Sequence, residues 1–200
     1  MGEMVTRPAL RRAVRRVAVL NLGYFGVEFA VALAIGSVAL FADSIDFLED
    51  ASVNLLVMLG LGWSLRWRAR LGMVLALVLL IPGLAALWTA WTKFLVPEPP
   101  EPAALSLTGA GAMLVNLACS LMLAGVRMHG GSLTRAAFLS ARNDVLADIA
   151  IVVAGLVTAY LWASAWPDLI VGLGIAAMNA DAAREVWGAA CEEHRRDVAG

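Results

Sequence analysis

Residues Phe41 to Asp50 read FADSIDFLED, which places Asp43, Asp46, Glu49 and Asp50 within a stretch otherwise apolar enough to cross a membrane. Charge is most costly there, so the placement needs a reason. The surrounding chain sharpens the question. It has 200 residues, 61% of them hydrophobic, and a mean hydropathy of +0.80. A soluble domain of this length hides its core behind a polar shell, and this composition leaves too little polar surface for one. The chain therefore reads as an all-α integral membrane protein.

Crossing the hydrocarbon takes about 20 apolar residues. Six stretches qualify: 17–36, 39–61, 71–94, 105–126, 136–162 and 167–187. Gly36-Ser37, WSLRWRAR, VPEPPEP, RMHGGSLTR and SAWP separate them. Arg7, Arg11, Arg12, Arg15 and Arg16 precede the first span, and Arg66, Arg68 and Arg70 follow the second. Arg127 and Arg135 flank the fourth loop, and Arg184, Arg195 and Arg196 lie towards the end. With six spans all of these fall on one side, which the positive-inside rule makes cytoplasmic. Both termini are then inside. Lys93 alone is basic near the other side, where the loop carries Glu98 and Glu101.

The whole chain is one transmembrane domain on this reading. A basic flank (1–16) precedes the spans (about 17–187), and a short cytoplasmic tail (188–200) follows them, too short to fold alone. The basic N-terminus lacks a small-residue cleavage site before a soluble domain, so it reads as the flank of an uncleaved first span. The net charge of -1 is segregated along the chain and calls for no nucleic acid. Cys119 and Cys191 have no ligand-type spacing and read as bystanders.

Asp46 and Asp50 are four residues apart and stack on one helix face, with Asp43 and Asn54 extending the stripe. The fifth span repeats the device in RNDVLADIA, with Asp144 and Asp148 four apart and Ser140 one turn earlier. At ~1.5 Å per residue, Asp50 lies roughly 15 Å below the outer boundary and Asp148 roughly 18 Å above the inner one. Both pairs then sit near the midplane, and antiparallel helices would set Asp46 level with Asp148 and Asp50 level with Asp144. Close carboxylates in low dielectric share protons or bind a cation. A divalent cation held by Asp46, Asp50, Asp144 and Asp148 and exchanging with protons fits this pattern; acids lining a water-filled cavity with no specific ligand is the plain alternative.

Other polar residues carry less. Asn21, Tyr24 and Glu28 form a stripe on the first span, and Glu28 is either an entrance or supporting group of the site or a hydrogen-bonding partner of a neighbouring helix. Asp43, Glu49, Asn143 and Ser140 stand in the same supporting class. Asn116 and Ser120 read as interhelical hydrogen-bonding residues. Asp168 follows Pro167 at a helix start, where an acid complements the dipole. His129 and His194 are flank residues, and Pro82-Gly83 reads as a kink.

NLGYFGVEFAVALAIGSVALFADSIDFLEDAS resembles the first two spans of the cation diffusion facilitator family, with their Asn, Glu, Ala-Asp-Ala/Ser and His/Asp-x-x-x-Asp. LSARNDVLADIAIVVAGLV is similar to that family's fifth span, WPDLIVGLGIA to the start of its sixth, and Asn116 to a common Asn on its fourth. The resemblance implies metal efflux by alternating access, driven by inward proton flow, in a homodimer. It implies a tetrahedral site at Asp46, Asp50, Asp144 and Asp148. The family's usual cytoplasmic C-terminal domain has no counterpart in this sequence, so dimerisation would rest on the membrane helices, the kinked third span among them. RWRAR stands where some members carry accessory histidines. No cofactor is implied beyond the transported ion. Zinc is the first choice, with manganese, cadmium, iron and cobalt open, and lipid and protons are the other partners. A bacterial inner membrane is the expected location.

Two other classes compete. An intramembrane Mg-dependent prenyltransferase would use Asp43, Asp46 and Asp50 as one diphosphate-binding motif and Asp144 with Asp148 as the second. Such enzymes have about nine spans with the motifs near the cytoplasmic face, and a CDP-alcohol phosphotransferase would need an Asp-Gly-x-x-Ala-Arg that the chain lacks. A non-transporting membrane subunit or metal sensor would not need two facing acid pairs.

Position 144 is Asp where many zinc-handling members of the family have His. An all-oxygen site suits hard ions, whereas imidazole adds a nitrogen that tetrahedral zinc favours and removes one negative charge. Asp144→His is therefore expected to raise the ratio of zinc to manganese transport, measured at one pH and one proton gradient. An unchanged or lower ratio would exclude Asp144 as a ligand.

Overall fold

The computed structural model of the protein describes residues 7–59, 83–124 and 131–179, with the backbone alone at 7–9, 56, 57, 59 and 131–143. All regular structure among these residues is helical: α1 (Arg7–Ile35), α2 (Val38–Leu59), α3 (83–95), α4 (Pro102–Ala124), α5 (Gly131–Tyr160) and α6 (166–179). They follow the order of the six expected spans. Residues 60–61, 71–82, 125–126 and 180–187 of those spans, Pro82 of the expected kink, His129, the start of the flank and the whole tail, with Cys191 and His194, fall outside the described residues.

Helix α1 starts at Arg7, well before the expected boundary at Val17. A drop in hydropathy marks where a span meets water, and the helix need not end there. Arginine is a good helix former, and Arg11, Arg12, Arg15 and Arg16 project from the first turns as exposed side chains. On the opposite face Val14, Val17, Asn21, Glu28 and Ala32 form a buried stripe at helical spacing. The outer surface is apolar, with Leu107 74% exposed and Leu121 and Leu146 66% exposed. That is the reverse of a soluble protein's arrangement. Helices α1 and α4 are each long and apolar enough to cross a membrane.

Gly36 ends α1. Its φ of +62° is the left-handed conformation that glycine adopts without a Cβ penalty, and the Ser37 amide donates back to the Ala32 carbonyl at 3.1 Å. The chain reverses and α2 begins at once. Helix α1 packs chiefly on α2, and α4 on α5, while α2 meets α5 less extensively. The α4–α5 pair is close because its contact positions are small. A Cβ on Gly109 would lie 2.7 Å from Ile151 Cγ2, and one on Gly155 would lie 3.1 Å from the Pro102 carbonyl oxygen.

The start of α2 is held by a residue from far along the chain. Asp168 accepts from the Ser37 hydroxyl at 2.6 Å and from the amides of Val38 and Ala39 at 2.9 and 3.2 Å. Its Oδ2 also takes Lys93 Nζ of α3 at 2.9 Å, and both residues are buried. Sequence alone read Asp168 as an ordinary first-turn acid of α6; in the fold it caps α2 instead and fastens α2, α3 and α6 together. Gly172, one turn further along α6, allows this approach, since a Cβ there would sit 2.7 Å from the Ala39 nitrogen.

Removing Asp168 leaves a buried ammonium, two helix-start amides and a hydroxyl without their acceptor. Asp168→Ala is expected to cost roughly 3–5 kcal/mol, the range for breaking one side of a buried pair. Lys93→Met with Asp168→Asn should be milder, because the amide oxygen still accepts at the helix start and no charge is left buried. Thermal unfolding in detergent checks the order; a single mutant as stable as the parent would contradict it.

Candidate metal centre

The stripe expected on α2 forms, but its members differ in burial. Asp43 is fully buried, Asp50 nearly so, Asp46 half-buried and Glu49 exposed. Burial falls on the face towards α1 and α5, so a helix of period 3.6 turns Glu49 away while drawing Asp43 and Asp50 inward. On α5, Asp148 is fully buried and Asp144 half-buried. Ser140 and Asn143 belong to α5, and their side chains lie outside the described residues.

Two groupings of acids result. In the first, Asp144 lies within electrostatic range of Asp50, Asp148 and Glu49, and Asp46 within range of Asp144. In the second, Glu28 from α1, Asp43 from α2 and Asp148 from α5 are electrostatic neighbours of one another. Asp144 thus has Asp50 among its charged neighbours, and Asp148 has Asp43.

The protein supplies few donors to the second grouping. Both carboxylate oxygens of Glu28, both of Asp43 and Oδ1 of Asp148 are buried without a hydrogen-bond donor among the described residues. Carboxylates offer no hydrogen to one another when ionised. A proton held by one of them, or a cation, is what can join them. As they stand, no three Asp, Glu, His or Cys side chains among the described residues converge closely enough to hold one ion.

Amides reach the remaining oxygens. Asn116 of α4 donates from Nδ2 to Asp148 Oδ2 at 3.0 Å. Asn21 of α1 donates from Nδ2 to Asp50 Oδ2 at 3.4 Å, while its own Oδ1 accepts from Cys119 Sγ of α4 at 3.2 Å. Tyr24 spans α1 to α4, donating to the Thr108 carbonyl at 2.6 Å, and its ring packs on Phe47 with centroids 5.1 Å apart. Sequence reading assigned Cys119 no role and Asn116 only interhelical bonding. Their proximity to the acids was not legible, although Asn21, Glu28 and Asn116 were each visible as polar residues on buried helical stripes.

Buried acids from three helices of an apolar-surfaced bundle define a membrane protein built to handle cations. The family model for the cation efflux transmembrane domain matches residues 14–187. The chain belongs to the cation efflux family of membrane transporters, as its resemblance to cation diffusion facilitators implied. No curated protein matches the chain in sequence.

An amide in place of the Asp43 carboxyl would bring two N–H donors among orphaned acceptors. Asp43→Asn is expected to stabilise the metal-free protein by about 1–2 kcal/mol, the scale of satisfying a buried acceptor. The measurement is the melting temperature in detergent with chelator present. A fall in that temperature would show that Asp43 is already satisfied.

Proposed function

We propose that this cation efflux protein exports a divalent transition metal, zinc first among the candidates, in exchange for protons. Asp46, Asp50, Asp144 and Asp148 are its ligands, and Glu28 and Asp43 stand beside them on the translocation route. The observation that carries this reading is the set of buried carboxylate oxygens on α1, α2 and α5 that face one another without donors. Such a cluster holds protons when empty and must release them to take up a metal, which couples the two flows. Closing four carboxylates around one ion requires α2 and α5 to draw together. An alternating-access transporter has such states available.

The orientation follows from chemistry at the two ends of the bundle. Exposed Arg11, Arg12, Arg15 and Arg16 mark the end at which α1 starts, which the positive-inside rule assigns to the cytoplasm. The other end carries exposed Trp91, Phe94, Tyr160, Trp162 and Trp166, the aromatic residues favoured at a membrane interface. Six spans with both termini inside satisfy both features. A homodimer held by its membrane helices and an inner-membrane location complete the proposal, with zinc preferred over manganese, cadmium, iron and cobalt. The prenyltransferase and non-transporting readings have no further observation in their favour.

The test is metal-dependent proton movement in liposomes that contain only this protein. Zinc moving one way should drive protons the other, and Asp46→Ala, Asp50→Ala, Asp144→Ala and Asp148→Ala should each abolish it while eluting as folded protein in detergent. Near-parent transport by two or more of the four would sink the ligand assignment. Zinc flux with no proton counterflow would sink the antiport.

A further inference from the structure

Helix α1 enters the bundle on four arginines for which the candidate metal centre has no use. Arg11, Arg12, Arg15 and Arg16 are exposed, and none of them makes an ion pair among the described residues. We infer that this face of α1 binds the phosphate headgroups of anionic phospholipids, in the leaflet where the helix starts. Such a surface requires only that the chain lies in a membrane, and is independent of which acids hold a metal.

The helix itself gives the first indication. On a solvated helix face, bases are commonly offset by acids three or four residues away. Here Arg11 and Arg15 are four apart, as are Arg12 and Arg16, and α1 has no acid before Glu28. Each like-charged pair disfavours the helix. No acid stands in the first turn to complement the dipole either. The helix nevertheless runs through all four arginines. An anion on this face offsets these penalties together, and guanidinium groups suit phosphate because they donate in pairs to its oxygens.

The direction of the face identifies the source of the anion. On the opposite side Leu10, Ala13 and Val17 pack on Cys119 and Leu123 of α4, so the arginines project out of the bundle. At about 100° per residue, Arg11, Arg15, Val19 and Leu22 fall within about 80° of arc. Val19 is 65% exposed and Leu22 55%, and both belong to the apolar outer surface that meets hydrocarbon. From Arg15 to Val19 is one turn, ~6 Å along the axis. A headgroup layer is about 5–8 Å thick on each side of the bilayer. One helix face therefore changes from cationic to apolar over the depth at which a lipid changes from phosphate to acyl chain. A soluble anion engages only the arginines, whereas a phospholipid engages both parts of the face.

Charge selects among phospholipids. A zwitterionic headgroup pairs each phosphate with its own ammonium, whereas an anionic one carries net charge for arginine to neutralise. Four arginines within two turns match the basic clusters that recognise anionic leaflets beside a membrane helix. The consequence is an anchor: the start of α1, the helix that carries Asn21 and Glu28 further along, is held at headgroup depth.

The experiment is native mass spectrometry of the full chain in detergent micelles containing phosphatidylglycerol and phosphatidylcholine in equal amounts. The parent should carry more phosphatidylglycerol than phosphatidylcholine, and the ratio should fall as salt rises, because exposed charges are screened. Arg11→Gln with Arg15→Gln should lower the ratio at least about fivefold, the scale of basic residues beside an anionic surface. Arg11→Lys with Arg15→Lys should keep most of it, since the charge is retained. A parent with no preference, or a glutamine pair that keeps the parent's ratio, would overturn the inference. Inorganic phosphate that strips the lipid, where chloride at the same ionic strength does not, would reveal a soluble-anion site and overturn the lipid assignment. If the glutamine pair does not elute as folded protein, Arg12→Gln with Arg16→Gln takes its place and the same ratio decides.

Discussion

A carboxylate inside an apolar bundle has to be matched by hydrogen-bond donors, a counter-charge, a proton or a metal, and this protein answers that requirement differently at different depths. Near one end, Asp168 is matched fully by Lys93, Ser37 and two backbone amides. In the middle, Asp148 is matched at one oxygen by Asn116. At the α1–α2–α5 junction, Glu28 and Asp43 have no donor among the described residues. Full satisfaction serves architecture, because a saturated acid gains nothing from an exchanging ion. Partial satisfaction leaves an oxygen with capacity to bind. A bundle that needs a rigid end and a responsive middle can therefore build both from the same residue type, by varying only how many donors surround it.

Much of this was legible in the sequence, and for definite reasons. The four-residue spacing within each acid pair is a property of a single helix and survives any change in packing. Gly36-Ser37 announced the turn because the left-handed residue and the serine cap are local requirements. The resemblance to a metal-transporting family rested on such local motifs, and the match over residues 14–187 agrees with it. Hydropathy located the helices but misjudged where α1 begins, since the helix continues past the apolar stretch on arginines that tolerate both water and helical geometry.

What the sequence could not convey was everything set by contact between helices. The approach of Asp148 to Asp43 depends on how α5 slides and rotates against α2. Small residues allow such contacts elsewhere in the bundle, where α4 and α5 close over Gly109 and Gly155 and Tyr24 packs beside Gly111. The role of Asp168 had the same origin. Its position at the start of a helix suggested a dipole partner for α6, while its actual partners lie about 130 residues away in the chain at the start of α2. Cys119 was passed over because one cysteine without a spacing pattern carries no signal. Only the fold shows that its thiol meets Asn21.

These contacts also account for where the acids lie in relation to the packing. Helix α1 is closely joined to α2, α4 is closely joined to α5, and the node at Asp168 fastens α2 to α3 and α6. The seam between α2 and α5 is less extensive, and the facing carboxylates fall along it. Like charges are the residues least able to hold such a seam shut unaided, so its closure depends on what neutralises them. In the proposed function, a bound cation supplies attraction along this seam, and its departure returns the seam to repulsion or to protons. The energy of binding then acts directly on the joint between two preformed helix pairs, with no need for a signal carried through the rest of the bundle. Asn21 and Asn116 approach that seam from α1 and α4, one from each pair.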